Sequence, residues 1–173
     1  MIERLFVAVR AALFGVLFVS FWGWVALSTR RLDSLAGATL PSGSRIVGAL
    51  ILATGAVLAL TSIVTFVLRG RGTPAPFDPP RLFVATGPYR FVRNPMYIGG
   101  WLALAGFGLV EGSLAMIAFS GVWLALAHLF VVWYEERTLA ARFGASYVDY
   151  CRRVPRWLPV RPIQSPRRPQ ESV

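Results

Sequence analysis

The chain has 173 residues, the length of a single domain, and 55 % of them are hydrophobic, with a mean hydropathy of +0.58. The apolar residues lie in long blocks, so the sequence predicts an integral membrane protein rather than a soluble one. The net charge of +10 comes largely from arginines in loops and in the tail. The positive-inside rule explains those arginines, and nucleic acid is therefore not an expected partner.

Four apolar segments follow one another along the chain. Residues 5–27, 46–68 and 114–134 are each long enough to cross a hydrocarbon core of roughly 30 Å. Residues 96–110 form a shorter segment that need not span the bilayer fully. The predicted fold is therefore all-α and integral to the membrane, with about four transmembrane or partly spanning helices.

The distribution of arginine predicts the topology. The 69–95 segment and the tail after residue 134 are rich in arginine, so both are expected on the cytoplasmic side of the cell (inner) membrane, together with both termini. We divide the chain into a two-span scaffold (1–68), a cofactor-binding core (69–160) and a disordered tail (161–173). Gly48, Gly55 and Ala59 in the scaffold would let helices approach closely.

The segment at residues 87–100, GPYRFVRNPMYIGG, opens the third apolar segment with several polar and aromatic residues. Asn94 and Pro95 predict a helix start, with Asn at the N-cap and Pro at the first helical position. A helix N-terminus beside Arg90 and Arg93 is a suitable site for an anionic ligand. Tyr89 and Tyr97, which flank the motif, would also be ordinary at a membrane interface.

A tight turn at residues 111–113 predicts that the last two membrane helices form a hairpin. The start of the first and the end of the second then lie at the same face, where Asn94 and Glu135 become neighbours. The tail continues as an amphipathic helix, with Leu139, Phe143 and Tyr147 at helical spacing. This helix is expected to lie at the interface and to cover the site.

Glu135 and Glu136 are adjacent acids at a helix C-terminus, where they oppose the helix dipole, so a compensating cation or ligand is expected. His128 lies two turns earlier on the same helix; it is either functional or hydrogen-bonded to a neighbouring helix. Without a second His or a Cys cluster, a metal site lacks ligands. Cys151 is the only cysteine and is read as incidental.

These motifs resemble the isoprenylcysteine carboxyl methyltransferase and phospholipid methyltransferase superfamily, most closely its small bacterial branch. The resemblance rests on GPYRFVRNPMYIG at 87–99, YEE at 134–136, FG at 143–144, Tyr147, Tyr150 and VPR at 154–156, and it covers about residues 80–160. It implies an integral membrane methyltransferase. S-adenosylmethionine would enter from the cytoplasm and a lipophilic small-molecule or lipid substrate from the bilayer.

The resemblance also implies roles for individual residues. The Arg93–Asn94–Pro95–x–Tyr97 segment, with Tyr89 beside it, would bind the methionine end of the cofactor, and Gly99 would permit close packing. Glu135 and Glu136 would hold ribose hydroxyls or orient the cofactor, and the tail with Tyr147 would cover the adenosine. Glu135 and Arg153 are the expected catalytic residues, and Arg153 or the adjacent Arg152 would hold an anionic substrate or the cofactor carboxylate. Many members carry His where this chain has Asn94, and Asn cannot titrate, so general-base chemistry there is not expected.

Three functions remain open from the sequence. The first is transfer of a methyl group to a prenylcysteine-like carboxylate or to a lipid, including phospholipid N-methylation. The second is an NADPH-dependent membrane reductase, since membrane sterol reductases carry a similar Arg-His-Pro-x-Tyr element. The third is a non-enzymatic membrane or lipid-binding protein whose arginines only set topology.

Overall fold

The computed structural model describes residues 2–36, 40–41, 43–70 and 82–159, and this part of the chain is helical without strands. Its helices are α1 (Ile2–Thr29), α2 (Asp33–Ala36), α3 (Ser44–Gly70), α4 (Pro95–Val110), α5 (Leu114–Phe130), α6 (Glu136–Phe143) and α7 (Ala145–Arg153). Short 3-10 helices lie at Arg30–Leu32 and Gly87–Arg90, and a π-helical turn at Val131–Glu135 joins α5 to α6.

Three helical stretches are long and apolar enough to cross a membrane: Val9–Leu32, Ser44–Gly70 and Leu114–Phe143. Pro95–Val110 is apolar but shorter. The prediction of an all-α membrane protein is therefore confirmed for the described residues. The predicted disordered tail at 161–173 lies outside them.

Helices α3 and α4 are in contact along glycines on both sides of their interface. A Cβ atom built on Gly55 would lie 2.5 Å from the backbone nitrogen of Ala103, and one built on Gly99 would lie 2.5 Å from that of Ala59. Gly48 and Gly106 approach the opposite helix similarly closely. The expected close approach at Gly48, Gly55 and Ala59 is therefore present, because glycine lets the two backbones touch.

The end of α1 and the start of α5 meet on the side of the molecule away from residue 94. Arg30 donates to Glu111 at 2.6 Å, and the backbone nitrogen of Ala115 donates to Asp33 at 2.9 Å. Ser113 caps α5 by accepting from the backbone nitrogen of Met116. These contacts surround the turn at residues 111–113, which joins α4 to α5.

The segment after the last apolar helix differs from the expected single helix. It contains two short helices, α6 and α7, that meet at Gly144. Gly144 has a φ of 54°, a backbone conformation that glycine adopts without strain and that ends α6. After this bend, α7 contacts the segment that precedes α4, at Tyr89 and Arg93. The division into residues 1–68 and 69–160 stays a prediction.

Candidate active site

A pocket lies where the C-terminal part of α3, the segment around Val84, the start of α4, the π-helical turn, α6 and α7 converge. Its lining combines charged, aromatic and apolar side chains: Phe66, Phe83, Val84, Tyr89, Arg93, Asn94, Val131, Glu135, Glu136, Leu139, Tyr147 and Tyr150. The enclosed volume is about 40 Å³, which is room for a few water molecules. A larger ligand therefore enters only when lining side chains move apart.

Glu135 reaches the pocket from the π-helical turn. Such turns insert an extra residue into a helix and are frequent at functional sites. The hydroxyl of Tyr97 on α4 donates to Oε2 of Glu135 at 2.9 Å. This hydrogen bond links the beginning of α4 to the end of the long α5 stretch, and Asn94 and Glu135 line the same pocket, as neighbours should.

Glu136 belongs instead to an ion-pair cluster with two arginines. Arg156 donates from Nε to Oε1 and from Nη2 to Oε2, each at 2.8 Å, and Nη1 of Arg93 lies 2.9 Å from Oε1. The hydrogen bonds to Glu136 are the main cause that raises the pKa of Arg156. Because both oxygens of Glu136 accept from arginine, this carboxylate is less available to a ligand than that of Glu135.

Two buried donors in the pocket have no hydrogen-bond partner among the described residues: the hydroxyl of Tyr89 and Nε of Arg93. Burial, followed by the charge of Glu135, raises the pKa of Tyr89, so its hydroxyl keeps its proton and can donate. An unsatisfied buried donor costs about 1–3 kcal/mol. Ligand atoms that accept from Tyr89 and Arg93 would remove this cost.

The chain beyond α7, residues 154–157, crosses the start of α4 and closes one side of the site. The backbone nitrogen of Arg93 donates to the carbonyl of Pro155 at 2.9 Å, and Nδ2 of Asn94 donates to the carbonyl of Arg156 at 3.2 Å. Nε1 of Trp157 donates to Nδ1 of His128 at 3.0 Å. His128 therefore accepts a hydrogen bond from this non-helical segment rather than from a neighbouring helix.

Aromatic side chains cover the pocket from the α7 side. The rings of Phe83 and Tyr150 meet edge to face with centroids 5.0 Å apart, and Phe83 also contacts the ring of Tyr147. The hydroxyl of Tyr150 donates to the backbone carbonyl of Tyr89 at 2.5 Å. These contacts tie α7 to the 3-10 helix before α4, and all three rings belong to residues of the pocket lining.

The structure brings most of the predicted site residues together. Tyr89, Arg93, Asn94, Glu135, Glu136 and Tyr147 line the pocket, and Tyr97 contacts Glu135. Pro95 is buried as the first residue of α4 behind the N-cap position of Asn94, although the Asn94 side chain makes no capping hydrogen bond. Gly99 lies against α3 rather than in the pocket lining.

Arg153 does not join these residues. Its side chain is exposed on α7, and its Nε donates to the backbone carbonyl of Asp149 at 3.2 Å. The tail arginine that contacts a lining residue is Arg156 of the VPR motif, which pairs with Glu136 and to which the sequence assigns no individual role. Phe66, Phe83, Val84 and Val131 also line the pocket without having been predicted, because an isolated apolar residue carries no sign of which pocket it lines.

The pocket residues fit the groups of S-adenosylmethionine. Arg93 and Tyr89 offer the unpartnered donors that a carboxylate requires, and Glu135 offers an acceptor for an ammonium group or for hydroxyls. Phe83 and Tyr147 supply aromatic rings in the lining, a residue type against which a purine can pack. The donors, acceptors and aromatic rings therefore suit an amino-acid nucleoside, once the lining opens to admit it.

Residues 44–146 match the protein family described as phospholipid methyltransferase. The chain is 36 % identical over 76 residues to the cobalt-zinc-cadmium resistance protein CzcN of Cupriavidus metallidurans, covering 44 % of this chain and 35 % of that protein. It is 32 % identical over 76 residues to the nickel-cobalt-cadmium resistance protein NccN of Alcaligenes xylosoxydans xylosoxydans, with the same coverage of 44 % and 35 %. It is 39 % identical over 72 residues to methanethiol S-methyltransferase 2 of Bradyrhizobium diazoefficiens, covering 41 % of this chain and 26 % of that protein.

The chain thus spans about a third or less of the length of these curated relatives. No solved structure matches it. Two of the relatives are named for metal resistance, but the described residues contain no group of three or more His, Cys, Asp or Glu that could hold a metal ion.

Proposed function

Because the chain belongs to the phospholipid methyltransferase family, we propose that it is a membrane enzyme that transfers a methyl group from S-adenosylmethionine to a lipophilic acceptor. The observation that carries this proposal is the pair of unpartnered buried donors, Tyr89 Oη and Arg93 Nε, in the same pocket as the carboxylate of Glu135. A cation, a neutral donor and an acid close together suit the charged methionine end of this cofactor.

Four residues in or beside the pocket then have defined tasks. Arg93 and Tyr89 bind the carboxylate of the methionine end. Tyr97 donates to Oε2 of Glu135 and so orients this side chain, whose Oε1 accepts from the ammonium group or from ribose hydroxyls. Bound S-adenosylmethionine supplies a methyl group already activated by its positively charged sulfur, so the protein chiefly positions the reactants and excludes water.

The apolar part of the lining supports a lipophilic acceptor. Phe66 on α3 and Val131 at the end of the long α5 stretch belong to helices apolar enough to span the membrane. A phospholipid amine or a prenylcysteine-like carboxylate would approach along these walls from the bilayer. We place the site at the cytoplasmic face of the cell (inner) membrane, with both termini cytoplasmic, because arginine concentrates around residues 69–95 and in the tail.

A small thiol is the second candidate acceptor. The relative named methanethiol S-methyltransferase 2 shares 39 % identity with this chain over 72 residues. A thiolate is a strong nucleophile, and the narrow pocket of about 40 Å³ requires less rearrangement for such an acceptor than for a lipid.

The decisive experiment uses the purified full chain in lipid nanodiscs with methyl-labelled S-adenosylmethionine. Separate reactions contain a membrane extract, phosphatidylethanolamine, a prenylcysteine and methanethiol, and the labelled product identifies the acceptor. Glu135→Gln should weaken cofactor binding at least tenfold, because it removes a charged acceptor worth about 1.5–3 kcal/mol. Glu111→Gln, which changes an acid at the opposite end of α4, is the matched control and should bind normally.

The alternatives make different predictions in the same preparation. Binding of NADPH without binding of S-adenosylmethionine would identify a membrane reductase. Binding of neither compound by the unaltered protein would favour a non-enzymatic membrane protein.

A further inference from the structure

The two arginines around Glu136 contact it in different ways. Arg156 makes a two-point contact, with Nε to Oε1 and Nη2 to Oε2, each at 2.8 Å. Arg93 makes a one-point contact, from Nη1 to Oε1 at 2.9 Å, and the same Nη1 lies 2.8 Å from Sγ of Cys151. The Nε of Arg93 is left buried and without a partner among the described residues.

This asymmetry has a chemical consequence. A guanidinium group and a carboxylate pair most favourably through two parallel hydrogen bonds. Nη2 of Arg156 already donates to Oε2 of Glu136, so Arg156 competes with Arg93 for the second oxygen that a two-point contact needs. Without Arg156, the guanidinium of Arg93 would be free to turn its Nε–Nη2 edge toward both oxygens of Glu136, and such a two-point contact would occupy Nε.

The position of Arg156 is fixed by the backbone on either side of it. The carbonyl of Pro155 accepts from the backbone nitrogen of Arg93, and the carbonyl of Arg156 itself accepts from Nδ2 of Asn94. Trp157 is held by its hydrogen bond to His128. Arg156 therefore reaches Glu136 from a segment that is anchored to the start of α4 and to α5.

We propose that Arg156 is a positioning residue. By engaging both oxygens of Glu136, it restricts Arg93 to one contact and keeps the Nε of Arg93 available for the carboxylate of S-adenosylmethionine. This inference rests on the proposed function and extends it, because it assigns the selectivity for the amino-acid end of the cofactor to a residue that binds no cofactor atom itself.

The test compares a ligand that has the amino-acid end with one that lacks it. S-adenosylmethionine carries the carboxylate and the ammonium group, and 5′-methylthioadenosine keeps the nucleoside and the sulfur, as a neutral thioether, without either group. Equilibrium binding to the protein in nanodiscs should show that Arg156→Ala lowers the affinity for S-adenosylmethionine about tenfold. The affinity for 5′-methylthioadenosine should stay within about twofold of that of the unaltered protein. Arg142→Ala, which removes an exposed arginine of α6, is the matched control and should change neither affinity.

A second substitution separates positioning from a general loss of structure. In the Arg156→Ala background, Glu136→Gln removes the carboxylate that would capture Arg93, so the affinity for S-adenosylmethionine should return to within about threefold of the unaltered protein. A purely structural role for Arg156 predicts the opposite, since removing a second member of the ion cluster would weaken binding further. Arg156→Lys keeps the charge but not the two-point geometry. It should lower the affinity for S-adenosylmethionine but not that for 5′-methylthioadenosine, and it replaces Arg156→Ala in the test if that variant does not fold.

Three results would overturn the inference. Equal weakening of both ligands by Arg156→Ala or Arg156→Lys would mean that the segment at 154–157 acts on the whole pocket. Unchanged affinities in these variants would mean that Arg93 does not depend on Arg156. Failure of the unaltered protein to bind S-adenosylmethionine would remove the proposed function itself, which distinguishes that failure from the other two.

Discussion

Gly99→Ala tests whether the contact between α3 and α4 holds the site in place. The added Cβ would lie 2.5 Å from the nitrogen of Ala59, 2.7 Å from the carbonyl oxygen of Gly55 and 2.9 Å from Cα of Ala59. All three are backbone atoms, so no side-chain rotation relieves the overlap, and the helices must separate by roughly 1 Å to restore ordinary packing distances. We expect overpacking to cost about 1–3 kcal/mol, against a gain of at most about 1 kcal/mol in helix propensity.

The matched control is Gly121→Ala on α5, where a Cβ would meet nothing within 4 Å. That substitution should be neutral or stabilising by up to about 1 kcal/mol, so the two glycines are expected to differ in sign. Thermal unfolding in nanodiscs measures stability, and S-adenosylmethionine binding measures the displacement of Arg93 and Asn94, which lie one to two turns from Gly99. If Gly99→Ala is as stable as Gly121→Ala, the close approach of α3 and α4 does not constrain this protein.

Three further predictions concern the pocket and its closing segment. Tyr89→Phe should raise the stability of the ligand-free protein by about 1 kcal/mol, because it removes an unsatisfied buried hydroxyl, yet lower the affinity for S-adenosylmethionine severalfold. Thermal unfolding with and without the ligand measures both effects. Trp157→Phe keeps an aromatic ring beside His128 but loses the hydrogen bond to Nδ1, so the free energy of unfolding should fall by about 1 kcal/mol. Alkylation of Cys151 should abolish cofactor binding by displacing Arg93, whereas Cys151→Ser, whose oxygen also accepts from Arg93, should bind within about threefold.

The membrane character and the helix starts were predictable because they depend on neighbouring residues. Long uncharged blocks specify apolar helices, and Asn94 followed by Pro95 specifies where α4 begins. The role of the Asn94 side chain was not predictable in the same way. It donates to the carbonyl of Arg156, far along the chain, instead of capping its own helix, and no local pattern encodes that choice.

The break in the tail has a similar explanation. Leu139, Phe143 and Tyr147 keep a helical period across Gly144, so the hydrophobic pattern alone favours one helix. Gly144 adopts a φ of 54° and ends α6, and Phe143 and Tyr147 still pack on Phe83 from either side of the break. Tertiary contacts of the aromatic rings therefore compensate for the interrupted helix.

The family resemblance, now supported by the match over residues 44–146, treats Glu135 and Glu136 as one motif, but their surroundings give them different chemistry. Tyr97 contacts Glu135 through a single oxygen, whereas Glu136 is engaged by two arginines. A ligand cation or hydroxyl would have to displace a two-point arginine contact to reach Glu136, and this costs more than joining Tyr97 at Glu135. Under the proposed function, we therefore expect Glu135 to be the acid that meets the cofactor, and Glu136 to position Arg93, which would donate to the cofactor carboxylate.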